Sequence, residues 1–188
     1  MSLKKTIDLL FKKLGVEVKL ISTQNRKNNL KHKWLLDLGI NHILDVGANE
    51  GQFAEKIRKY FPSTKIDSFE PLEVCFTKLK QNFEKDKNFK AHHFALGNEN
   101  NTIMINMNES LPSSSILEMT EIHHKNYPST YKSSSKEIEV KRLDDCNNIV
   151  DKNDKLLLKI DVQGYELNVL KGSINSLTRE LCACRTLR

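Results

Sequence analysis

The stretch Leu156-Leu157-Leu158-Lys159-Ile160-Asp161-Val162 constrains this chain more than any other. From Leu156 to Ile160 it is nearly all apolar, without alternation. A strand with one wet face alternates polar and apolar positions. A strand that is apolar throughout is covered on both faces, as in a parallel sheet clothed by helices. Further candidate strands lie upstream: Ile43-Leu44-Asp45-Val46 ends at Gly47, Lys65 to Phe69 ends at Glu70-Pro71, and Phe89 to Leu96 ends at Gly97. Between them Glu50 to Tyr60, stopped by Phe61-Pro62, and Val74 to Phe83 have helical periodicity. Tyr165 to Leu170 turns helical after the long run and stops at Lys171-Gly172. Strand, helix, strand, helix, strand predicts an α/β fold, an open and mainly parallel sheet with helices on both faces.

The remainder is less regular. Lys31 to Leu38 reads as a helix closed by Gly39, the residue favoured just past a helix end. Thr102 to Met107 and Glu137 to Leu143 read as strands. Ser110 to Ser135, broken by Pro112 and Pro128, is expected to be a long loop with a helix at Ile116 to His123. The formal net charge is +6, and residues 1–40 carry all of that excess, so the rest of the chain balances to zero. A basic face for nucleic acid is not what such a distribution builds, and no nucleic-acid partner is expected. Leu3, Ile7, Leu10, Phe11 and Leu14 fall at helical spacing with Lys4, Lys5, Lys12 and Lys13 opposite them. This predicts a basic helical arm over residues 1–40 preceding a domain over 41–188. The arm's apolar stripe is expected to pack on the domain rather than lie on a membrane surface through residues 3–14. No run approaches the roughly 18 apolar residues of a membrane span, and no signal-peptide core opens the chain. Cys75, Cys146, Cys182 and Cys184 lack the spacing of a disulfide or zinc framework, so reduced thiols in a cytoplasmic protein are expected.

Asp45-Val46-Gly47-Ala48-Asn49-Glu50-Gly51 joins the first strand to the first helix, where a doubly wound sheet holds its ligands. Gly47 permits close backbone approach, and Asn49 tolerates the left-handed backbone a second glycine would otherwise supply. A dinucleotide turn needs G-x-G-x-x-G and a helix start friendly to phosphate. Here Asn49 and Gln52 fill the other glycine slots, and Glu50 opens the helix. S-adenosylmethionine carries a sulfonium and an ammonium and no phosphate, which suits a carboxylate at Asp45. Glu70, ending the second strand, stands where a carboxylate accepts ribose hydroxyls in either cofactor class. This chemistry favours S-adenosylmethionine over a nicotinamide dinucleotide.

These motifs resemble the FkbM-type S-adenosylmethionine-dependent methyltransferases. The resemblance runs through Ile43–Gly51, Phe69-Glu70-Pro71, Ala95-Leu96-Gly97, Ser113-Ser114-Ser115, Val140–Asp145, and Leu158–Glu166 with Val169-Leu170-Lys171-Gly172, spanning about residues 40–175. It implies a Rossmann-like class I methyltransferase fold and O-methylation of a sugar, glycan or small-molecule hydroxyl. By position it implies a cofactor loop of Asp45, Gly47, Ala48, Asn49 and Gly51, a ribose acid at Glu70 followed by Pro71, and an adenine flank at Ala95 and Leu96. Asp161 would stand by the transferred methyl. Gln163 occupies a position where the family usually has Glu.

Methyl transfer from sulfonium to oxygen depends chiefly on positioning, but the alcohol must lose its proton. Asp161 is the candidate base, with His123 and His124 as weaker candidates; a plain helix-capping carboxylate is the blander reading of Asp161. No metal is expected. Neighbouring residues on a strand face opposite ways, so His92 and His93 do not form a ligand pair, and Asp144-Asp145 reads as a loop start. The family's sheet continues past the helix that follows Asp161. Here only Leu181 to Ala183 offers a further strand, so C-terminal strands are expected to be missing. Leu156–Ile160 would then be an exposed edge, and a homodimer through it is an expectation. A catalytically silent remnant that binds cofactor or assembles, and a nicotinamide-dependent oxidoreductase, are the competing functions.

Overall fold

The computed structural model describes residues 33–108, 133–178 and 183–186. Strands β1 (His42–Val46), β2 (Lys65–Phe69) and β3 (Phe89–His92) are joined by helices α2 (Gln52–Arg58) and α3 (Glu73–Asn82), with α1 (Lys33–Leu36) ahead of them. A second group follows: β4 (Ala95–Leu96), β5 (Asn101–Asn108), β6 (Ser133–Lys141) and a 3-10 turn at Leu143–Asp145. The chain then returns through β7 (Leu156–Ile160), α4 (Glu166–Lys171), α5 (Ile174–Leu177) and β8 (Ala183–Thr186). The large sheet has the order β3-β2-β1-β7-β8, with every pairing parallel. The fold is the expected α/β architecture.

All residues of β1 and β7 are buried, as their largely apolar texture without alternation leads one to expect, and His42, Asp45 and Lys159 are buried with the rest. On one face Ile43, Ile66 and Leu157 meet Ala54 and Ile57 of α2. On the other Leu44, Phe69, Leu158 and Ile160 meet Val169, Leu170 and Leu177 of α4 and α5. Each such side chain removed from water stabilises the fold by roughly 1.5–3 kcal/mol before the entropy of ordering it is counted. Asp67, at the middle of β2, accepts from His42 at 2.7 Å and His92 at 2.6 Å, and the other ring nitrogen of His42 meets Asp154 at 2.8 Å. His92 is therefore buried against Asp67, whereas the half-exposed ring of His93 stacks on Phe76.

Several boundaries differ from expectation. Phe89 to Leu96 is not one strand: β3 stops at His92, and Ala95–Leu96 leaves to pair with β6 in a separate three-stranded sheet, β4-β6-β5. The Glu70 amide makes the last rung, to the His92 carbonyl at 3.0 Å; the next amide on that side, that of Leu72, turns back to Glu70 Oε1 at 3.0 Å instead of continuing the ladder. Among the described residues the helix expected at Lys31 to Leu38 covers Lys33–Leu36 and ends two residues early, and β6 ends before Leu143, which sinks into the main core. The bare edge expected on the 156–160 strand is also corrected. β8 pairs alongside it, Leu157 with Ala183 through Ile160 with Thr186, and places the strand at 183–186 instead of 181–183. The expected helices at 3–14 and 116–123, most of the 110–135 loop, and His123 and His124 lie outside the described residues. Among the described residues no helix is long and apolar enough to cross a membrane.

Candidate active site

Register sets the site. Val46 is level with Phe69 on one side and Ile160 on the other, so the chain leaves three adjacent strands at one height, into Gly47, Glu70 and Asp161. The strand order also reverses between β1 and β7, the position where an open sheet parts into a crevice. The turn after β1 is held in left-handed conformations at Gly47 (φ 72°), Asn49 (φ 52°) and Gly51 (φ 95°). Both the Gly47 and Ala48 amides donate to the Phe69 carbonyl, at 3.1 and 3.0 Å, folding the turn over the tip of β2. That fold aims the Asn49 amide at Glu70 Oε2, 2.8 Å away, while the Leu72 amide reaches Oε1 at 3.0 Å. Burial pushes the Glu70 carboxyl up from its ordinary value, and these two amides work against that shift. A side chain at Gly47 has no room: its Cβ would sit 2.2 Å from the Asp161 carbonyl oxygen.

Two cavities flank this turn and share Gly47, Asn49 and Asp161. The first, of about 140 Å³, is walled by Glu70, Pro71, Ala95 and Leu96, and by Leu72, Cys75, Ile105 and Ile138. The second, of about 280 Å³, is walled by Ala48, Gln52, Phe53, Lys56, Tyr60 and Lys159. Neither alone reaches the 300 Å³ or so of a small-ligand pocket, and Gly47, Asn49 and Asp161 form the wall common to both. Asp161 is half-buried where they meet. Burial pushes its carboxyl up, Lys159 pulls it down, and Asp45 and Glu166 push it up further, so it binds a proton more readily than a free carboxylate.

Gly47, Asn49, Glu70, Pro71, Ala95 and Leu96 line the first cavity, Ala48 lines the second, and Asp161 lines both. Two expected cofactor residues line neither cavity. Asp45 is wholly buried, with Oδ1 2.8 Å from Lys159 Nζ; the approach is a charge contact out of line for a hydrogen bond, and both carboxylate oxygens lack a donor. Its charge is already offset by Lys159, so it does not present a free anion to a ligand's ammonium. Gly51 caps α2, and its Cβ would strike Phe83 at 2.5 Å and Leu79 at 2.8 Å, which makes it a packing glycine. Asp144 accepts from the Asn175 and Ser176 amides at 3.1 and 2.8 Å, capping α5.

Sequence reasoning did not find Lys159, Cys75, Ile105 or Ile138. Lys159 had a signal, a lone cation inside an otherwise apolar strand. Ile105 and Ile138 had none, because only the pairing of β5 with β6 sets them beside Glu70's loop.

Comparison with known proteins agrees with this architecture. Residues 45–187 match the model of the methyltransferase FkbM domain. The chain belongs to the FkbM methyltransferase family. "Methyltransferase 1" of Beauveria bassiana (strain ARSEF 2860) is 28% identical over 160 residues, covering 74% of this chain and 64% of that protein. "Methyltransferase sdnD" of Sordaria araneosa is 31% identical over 154 residues, covering 69% of this chain and 59% of that protein. The FkbM chain described here thus spans about six-tenths of the length of the curated relatives it matches. The match begins at the last residues of β1 and includes the turn, Glu70, Asp161 and β8.

Proposed function

We propose that this FkbM chain is an S-adenosylmethionine-dependent O-methyltransferase acting on a carbohydrate-like or small-molecule hydroxyl in the cytoplasm. The observation that carries the reading is Glu70, a buried carboxylate anchored by two backbone amides at the wall of a cavity lined by no Lys, Arg or His. A dinucleotide pyrophosphate would meet two carboxylates there and no cation, which disfavours the nicotinamide reading. A phosphate-free nucleoside fits. Each Glu70 oxygen spends one lone pair on an amide and keeps another for a ribose hydroxyl. Ala95, Leu96, Ile105 and Ile138 supply an apolar wall that excludes water beside a purine. When bound, the cofactor supplies an electrophilic methyl group; the protein's part is to position it and to deal with the acceptor's proton. Asp161, at the junction of the two cavities and with its proton affinity raised by burial, would accept that proton at its carboxylate.

Calorimetric titration with S-adenosylhomocysteine tests the cofactor. The parent chain is expected to bind, and Glu70→Ala to bind about tenfold or more weakly, the loss of hydrogen bonds to a charged acceptor. No heat and no thermal shift with the folded parent would overturn the proposal. A shift with a nicotinamide dinucleotide and none with S-adenosylhomocysteine would favour the oxidoreductase.

A further inference from the structure

Among the described residues Lys159 is the one lysine or arginine buried inside the large sheet. It is 3% exposed and stands directly across from Asp45 in the parallel register of β1 and β7. Its ammonium has three N–H groups and meets three oxygens: Asp45 Oδ1 at 2.8 Å, the Gly47 carbonyl at 2.8 Å and the Val46 carbonyl at 3.4 Å. Two of the three belong to the backbone of the turn that carries Asn49 to Glu70. The Val46 carbonyl also accepts the Asp161 amide at 3.0 Å, so this one oxygen joins the turns that leave both strands. For the Gly47 carbonyl, Lys159 is the only donor among the described residues. A buried ion pair alone contributes little net stability, because desolvation consumes most of the attraction. Two ties to the backbone at a left-handed turn are a different matter, since they fix where the Gly47–Asn49 amides point.

We infer that Lys159 is a positioning residue, whose ammonium locks the Val46–Gly47 backbone so that the Asn49 amide stays on Glu70 and the cofactor turn is pre-formed. The inference rests on the methyltransferase reading only for what the turn holds; the anchoring itself belongs to the ligand-free protein.

Three variants separate anchoring from a purely structural role. Lys159→Met strands the Asp45 charge and is expected to lower the melting temperature sharply. Asp45→Asn/Lys159→Met removes both charges together and is expected to regain most of that stability. Asp45→Asn alone controls for any part Asp45 plays in binding. If Lys159 positions the turn, the double variant remains about tenfold weaker than the parent and than Asp45→Asn for S-adenosylhomocysteine. Amide exchange at Gly47, Ala48 and Asn49 is also expected to be faster than in the parent with no ligand present. Affinity and exchange that recover together with the melting temperature would overturn the inference, as would values in Lys159→Met equal to the parent's. A parent that fails to bind S-adenosylhomocysteine ends the cofactor reading instead, and exchange in the double variant then decides Lys159 alone.

Discussion

At the scale of single residues, the turn after β1 owes its shape to backbone conformations that most side chains resist. Asn49 and Gln163 are the non-glycine residues at positive φ among the described ones, at 52° and 49°, and both line the first cavity. Left-handed backbone costs an L-residue roughly 1–2 kcal/mol, and asparagine is the side chain least troubled by it. Asn49→Val is therefore expected to lose about 1–2 kcal/mol in urea denaturation, while Asn49→Gly stays within about 0.5 kcal/mol of the parent. Equal losses in the two would show that side-chain contacts, and not φ, select this residue. Asn49 and Glu70 were both legible in the sequence, because turn conformation and strand-end position are local properties. The neutralisation of Asp45 was not, since its partner Lys159 is contributed by a strand 113 positions from the turn's Val46.

At the scale of elements, close approach decides more than propensity does. The C-terminus of α4 passes so near the end of β4 that a Cβ on Gly172 would lie 1.7 Å from the Gly97 carbonyl oxygen. Backbone against backbone has no rotamer to yield. Gly172→Ala is expected to cost about 3 kcal/mol or to abolish folding, read from the midpoint of thermal or urea unfolding. A loss under about 0.5 kcal/mol would mean that the two elements part easily. Gly97 and Gly172 both stand out in the sequence as stops, yet their contact with each other is a tertiary fact.

The first three strands of the sheet are tied by a second element-scale device, the His42–Asp67–His92 cluster. Burial pushes the Asp67 carboxyl up, but hydrogen bonds from His42 and His92 and the charges of Lys65 and His42 outweigh it, leaving the group well below its ordinary 3.8. A carboxyl depressed in the folded state contributes stability above its unfolded value and forfeits it as pH falls through the folded one. Unfolding free energy should thus decline as pH drops below 3.8, and Asp67→Asn should flatten that decline while lowering stability at neutral pH. Denaturation midpoints for both proteins down to about pH 2 check this; parallel slopes would contradict it.

At the scale of the whole molecule, the sheet's order governs both the site and the edges. β8 covers β7, so removal of residues 183–188 would leave Leu156–Ile160 with an unpaired rim, apolar but for Lys159. Light scattering of that deletion is expected to show larger species than the parent at equal concentration; an unchanged size would mean that the rim is guarded by something else. The small β4-β6-β5 sheet is the other molecular-scale feature. It sets Ile105 and Ile138 against Leu72 and Ala95, closing a cavity whose opposite wall comes from the large sheet.

What the sequence determined by itself was the alternation of strands and helices, the parallel class of the sheet, the turn after the first strand and the acid after the second. Apolar runs, glycines and prolines act over a few residues, and their effects are readable in order along the chain. Tertiary structure alone decided that Asp45 is set against Lys159, that Gly51 packs on Phe83 and Leu79, and that the chain leaves β3 for a second sheet after His92. It also brought β8 onto β7. Each of these depends on which distant segment arrives alongside, and burial energy summed over the whole core, not any local pattern, selects that arrangement.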